Sequence, residues 1–166
     1  MADKHLGIYL NDHLAGSTAA LELLEHLEAS HAGTDLARFV AGLRGDIEAD
    51  RGELEGLLRQ LQVTQSPVRK ASAWVAGKVT DLKLRLDDRE GGALRLFEAL
   101  DALSIGIEGK RLLWRALSTL AQELPALRTL DYGRLIARAE EQRGRVEEVR
   151  LEAARQALVP VAAVSL

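Results

Sequence analysis

Five side chains are candidates for chemistry if the fold brings them together: His13, Glu48, Asp50, Glu108 and Glu140. Carboxylates and an imidazole are the donors that divalent cations take from proteins. Two segments share a pattern, Glu48-Ala49-Asp50-Arg51 and Glu140-Glu141-Gln142-Arg143, with arginine three residues after glutamate in each. Arginine stays protonated and cannot ligate a cation. Charge complementarity is therefore the first expectation: Glu48 with Arg51, Glu140 with Arg143, and Asp50 with Lys110 or His13. Glutamate and arginine at i,i+3 also form ordinary solvated helix surface. A boundary histidine held by hydrogen bonds is the ordinary account of His13.

Other chemistries find little purchase. The chain has no cysteine, which removes disulfides, thiolate metal sites and cysteine nucleophiles. No Gly-x-x-x-x-Gly-Lys-Ser, Gly-x-Ser-x-Gly or His-Glu-x-x-His occurs. All the histidines (His5, His13, His26, His31) fall between residues 5 and 31, and no nucleophile–base pair can be named. A net charge of −3 gives no basic surface for nucleic acid. The basic run from Arg69 to Arg85 has Asp81 within it and Asp87 and Asp88 just after it, and reads as a solvated face. No apolar run approaches the roughly 20 residues of a membrane span, and Met1 to His5 is too charged to open a signal peptide. A cytoplasmic, bacterial-type protein is expected, without nucleic-acid or membrane partners.

The elements that must position these residues are helices. Leu, Ala, Arg and Glu dominate, aromatics are 4% and prolines number three, the composition of a leucine- and alanine-cored bundle. Leu6, Leu10, Leu14, Leu21, Leu24 and Leu27 mark one helix face, ended by His31-Ala32-Gly33. Thr34 or Asp35 can cap the next helix, which carries Leu36, Val40, Leu43, Ile47, Leu54, Leu57 and Leu61 to about Gln62. A third stripe holds Leu96, Leu100, Leu103, Ile107, Trp114, Leu117 and Leu120 before Pro125. Asp131 can cap a fourth, with Leu135, Ala139, Val146, Val149 and Ala153. Short connections make each pair an antiparallel hairpin. One all-α domain over residues 1–166 is expected: an antiparallel four-helix bundle of two similar hairpins (about 5–62 and 92–158). Ser66-Pro67 starts a crossover helix at about 67–86, and 159–166 is an apolar tail.

The hairpins look like copies. Ile47 to Glu55 matches Ala139 to Glu147 at a shift of 92, and Leu10 to Leu27 matches Leu103 to Leu120 at 93. The mid-helix glycines pair at the same shifts, Gly16 with Gly109 and Gly52 with Gly144. Close helix approach, or room for a bulky neighbour such as Trp114, would explain glycines that cost about 1 kcal/mol each relative to alanine. A composition that scatters glycine everywhere is the alternative.

Where each stripe should carry an apolar residue, a polar one interrupts it: His13 and Ser17, Asp50, Lys110 and Gln142. Counting from the two turns puts His13 level with Asp50 and Lys110 level with Gln142. The expectation is a mid-bundle polar layer of His13, Asp50, Lys110 and Gln142. Two hairpins joined by a crossover, with polar residues at mid-bundle, resemble the ferritin-like superfamily over about residues 5–158. That resemblance implies a di-metal centre built from glutamates and two Glu-x-x-His motifs. Here arginine, Arg51 and Arg143, replaces both histidines, which leaves the ligand set incomplete.

The expected function is a non-catalytic ferritin-like bundle, an interaction or stress-related module without a cofactor. The partner protein is unidentified, and self-association is suggested by the apolar tail. The alternative is a divergent metal- or small-ligand-binding relative using His13, Glu48, Asp50, Glu108 and Glu140. A carrier of apolar ligands would require a dry cavity near Trp114 and the mid-helix glycines.

Overall fold

Each leucine stripe folds as one long helix. The computed structural model describes residues 4–65 and 92–159, and all regular structure among them is helical. The helices are α1 (Lys4–Ser30), α2 (Asp35–Gln60), α3 (Gly92–Leu120) and α4 (Tyr132–Leu158), with a 3-10 turn at Pro125–Leu127. The expected crossover helix at 67–86 and the apolar tail beyond Val159 lie outside the described residues.

Local chemistry sets the helix ends. Thr34 caps α2, its Oγ1 accepting from the Ala37 amide at 3.2 Å. Asp131 caps α4, accepting from the Arg134 amide at 3.0 Å. Gly33 takes φ +81°, a left-handed conformation that glycine enters without steric cost. After α2 the same turn falls on Gln62 at φ 55°, while the Val63 amide reaches back to the Leu58 carbonyl at 3.0 Å.

Partners across each seam run in opposite order. Along α1 and α2, Glu28 meets Arg44 at 3.0 Å, Thr18 meets Arg51 at 2.6 Å, and Gly7 lies against Val63. Along α3 and α4, Asp101 meets Arg150 at 2.8 Å and Glu108 meets Arg143 at 2.7 Å. The helices of each hairpin therefore run in opposite directions. The hairpins meet through α1 packed on α3 and through side chains spanning α2 and α4.

The core falls into two clusters. One holds Leu23, Leu24, Leu27, Leu43, Leu100 and Leu103 among others, near the α1–α2 turn. The other surrounds Trp114 with Leu10, Leu14, Leu57, Leu117, Leu127 and Leu135. The stripes are wider than the heptad steps implied. Leu6, Leu21, Leu36, Leu96 and Val149 lie half-buried and Leu120 is exposed. Leu23, Leu58, Ala99 and Leu113 take buried positions instead. A helix touching two neighbours needs an apolar face broader than one ridge.

The glycine expectation is corrected. A Cβ placed on Gly16, Gly52, Gly109 or Gly144 would meet nothing within 4 Å among the described residues. Among the described residues these glycines neither admit a close helix crossing nor make room for Trp114, which leaves the reading of a composition that scatters glycine.

Candidate functional site

Between the two apolar clusters lies a layer of charge. Asp50 on α2 is 2% exposed and Gln142 on α4 is fully buried, the two buried polar residues among those described. They meet directly, Gln142 Nε2 donating to Asp50 Oδ2 at 2.9 Å. Lys110, from α3, donates its ammonium to both Asp50 Oδ2 and Gln142 Oε1. Arg138, one turn before Gln142 on α4, sets its guanidinium against Asp50 Oδ1. Three helices thus deliver one carboxylate, two cations and an amide to a single point.

Each side chain is here because its helix puts it here. Asp50 follows Ile47 and precedes Leu54 on the buried face of α2; Gln142 stands between Ala139 and Val146 on that of α4. A bare carboxylate in such surroundings costs several kcal/mol or more, so partners are obligatory. Burial lowers the Lys110 pKa from its ordinary value. The charge and hydrogen bond of Asp50 oppose that shift, and Arg138 reinforces it.

His13 does not join this layer. Seam partners such as Thr18 with Arg51 put Asp50 level with α1 near Ala20, about two turns from His13. Counting residues from the turn missed this because facing side chains lean in opposite directions along antiparallel helices. The His13 ring instead meets Tyr9 edge-on, centroids 4.7 Å apart. Its pKa is lowered by burial, partly offset by Asp12. Ser17 turns to its own helix and donates to the Leu14 carbonyl at 2.6 Å.

The glutamates proposed as ligands are held by arginines elsewhere. Glu48 pairs with Arg44 at 3.1 Å rather than with Arg51, which turns to Glu55 and Thr18. Glu108 accepts from Arg111 at 2.7 Å and from Arg143 at 2.7 Å, and these bonds, Arg111 first, hold its pKa below the ordinary carboxylate value. Glu140 faces Arg111 at 3.5 Å, not Arg143. The expected i,i+3 pairs gave way because both arginines sit on seams, where the neighbouring helix offers a partner. A ferritin-like di-metal centre does not fit these residues. Both Asp50 oxygens face cations, and the three glutamates are dispersed among arginines. No group of three or more His, Asp or Glu converges as a metal site among the described residues.

The seam between α2 and α4 is charged along its length. Asp46 meets Arg145 above the layer and Glu53 meets Arg134, at 2.6 Å, below it. Acids at 46, 50 and 53 therefore face arginines at 145, 138 and 134. Arg138 lies off the apolar stripe, so the sequence does not mark it as part of the layer; its signal is the i,i+4 spacing to Gln142.

Trp114 is 1% exposed, and its indole N–H has no hydrogen-bond partner among the described residues. It is packed among leucines. Two open surface grooves of about 540 and 510 Å³ lie elsewhere, beside the α1–α2 turn and between the start of α2 and the end of α4. Neither is lined by Trp114, so neither is the cavity an apolar-ligand carrier would need there. No described helix is long and apolar enough to cross a membrane. No family model, curated protein or solved structure matches the chain.

Proposed function

We propose that the chain is a non-catalytic ferritin-like bundle, an antiparallel four-helix scaffold that works as an interaction module. The observation that carries this reading is Lys110: its ammonium bonds Asp50 and Gln142 at mid-bundle, where ferritin-like enzymes place metal. A protonated lysine and Arg138 supply there the positive charge that a cation would otherwise bring.

Connectivity supports the ferritin-like part. The chain leaves α2 beside the end of α3, where Gln60 donates to the Ala126 carbonyl at 3.0 Å. It re-enters at Gly92, near the start of α2, since Leu96 and Phe39 line one groove. Two hairpins linked from one end of a bundle to the other describe that topology. Duplication has support of the same kind. Asp50 and Gln142, equivalent at the shift of 92 residues, are both buried and bond each other, as equivalent residues on a pseudo-two-fold axis would.

Metal analysis of the purified protein, before and after titration with ferrous iron or manganese, tests this function. The expected result is no stoichiometric metal in either case. Stoichiometric binding that is lost in Asp50→Ala or His13→Ala would overturn it in favour of a divergent metal protein.

A further inference from the structure

The two sides of the α2–α4 seam carry opposite charge at matching positions. Gln142 donates to Asp50 at 2.9 Å, and the pairs on either side run in opposite order, Asp46 with Arg145 and Glu53 with Arg134. Counted from that meeting point, α2 carries Asp46, Asp50 and Glu53 at steps −4, 0 and +3. At the same steps α4 carries Arg138, Gln142 and Arg145. Hairpin one (α1 and α2) thus presents acids where hairpin two (α3 and α4) presents arginines about a glutamine, and Lys110 of α3 adds a further cation.

The spacing is self-matching, so charge decides what fits. Step −4 of one helix faces step +3 of the other, as Asp46 faces Arg145. Were two copies of α2 to meet in this way, Asp46 would face Glu53 and the Asp50 carboxylates would face each other without a cation. Two copies of α4 would set Arg138 against Arg145. Like charges so placed across an interface are strongly unfavourable. The other side of the bundle offers no such choice, since leucines of α1 and α3 share both core clusters.

We propose that the seam is a sign-selective docking surface: hairpin one refuses another hairpin one, and the partner it accepts from outside its own chain is hairpin two of a second copy. Copies then associate by exchanging unlike hairpins. The structure already seats this occupant on the acidic face, and each exchanged layer is completed by Lys110, Arg138 and Gln142 of the other copy. Exchange closes at two chains, whereas like pairing would leave each chain one unmatched hairpin and continue into longer assemblies. Tethering favours pairing within the chain, so exchange is expected where the chain folds at high concentration. Metal at the layer would overturn the scaffold reading and leave the outer pairs, and this selection, in place.

Two full-chain variants test it: Asp46→Arg with Glu53→Arg, and Arg134→Glu with Arg145→Asp. Each sets like charges along its own seam while Asp50, Lys110, Arg138 and Gln142 stay in place. Refolded together from urea and weighed by native mass spectrometry, they are expected to form a 1:1 dimer at least about tenfold more abundant than either variant's self-dimer. One seam of that dimer is wild type and the other has its signs exchanged. All four substitutions in one chain should restore the urea midpoint that each half variant lowers, which loss of individual side chains would not do. Circular dichroism follows folding; for a half variant that is unfolded alone, recovery of helicity on mixing is the readout. No mixed dimer, self-dimers as abundant as the mixed one, or a fourfold variant with a midpoint as low as the halves would overturn the proposal.

Discussion

Asp50 is buried and holds two cations and an amide, so its loss and its replacement should differ sharply. Asp50→Ala leaves Lys110 and Arg138 facing each other without their counter-charge. Both keep some access to solvent, at 15% and 25% side-chain exposure, so the cost is expected near about 3 kcal/mol, at the lower end for a broken buried pair. Replacing the group together, Asp50→Leu with Lys110→Met and Gln142→Leu, should recover most of that loss, as measured by denaturant unfolding. Lys110 also sets a pH dependence. Its folded pKa lies below the ordinary 10.5, so the unfolded chain holds the proton more tightly. Stability relative to Lys110→Met should therefore rise with pH between the lowered folded value and 10.5, and level off above it. A flat difference across that window would count against a buried ammonium. Asp50, Lys110 and Gln142 were legible in the sequence because each interrupts an apolar stripe. Arg138 was not, since a long side chain reaches in from the edge of its helix face.

At the scale of the helix, caps and turns were the most legible features, because Thr34, Gly33 and Asp131 act within a few residues of where they stand. The ion pairs were the least legible. Local spacing suggested Glu48 with Arg51, but only the packed bundle decides that Arg51 reaches Thr18 on α1. The glycines divide in the same way: their helical position was readable, their surroundings were not. Gly52 and Gly144 lie exposed on α2 and α4 with open space at the Cβ position. Gly52→Ala and Gly144→Ala should each stabilise the protein by about 0.5–1 kcal/mol through helix propensity and unfolded-state entropy. Thermal or denaturant unfolding checks this, and destabilisation at either site would point to a role in contact with a partner.

For the molecule as a whole, the helical class and the four helices followed from period and turn chemistry alone. How the hairpins meet did not, because that depends on residues far apart in sequence. Hairpin one supplies Asp46, Asp50 and Glu53, and hairpin two answers with Arg145, Lys110, Arg138, Gln142 and Arg134. The outer pairs are well solvated and contribute at most about 1 kcal/mol each. The buried layer is where the two halves recognise each other, with charge supplied by side chains alone. A double-mutant cycle between Asp50 and Lys110, each changed to alanine, measures that claim most directly by urea unfolding. A coupling of about 1.5 kcal/mol or more is expected. Additive losses, with coupling under about 0.5 kcal/mol, would contradict it.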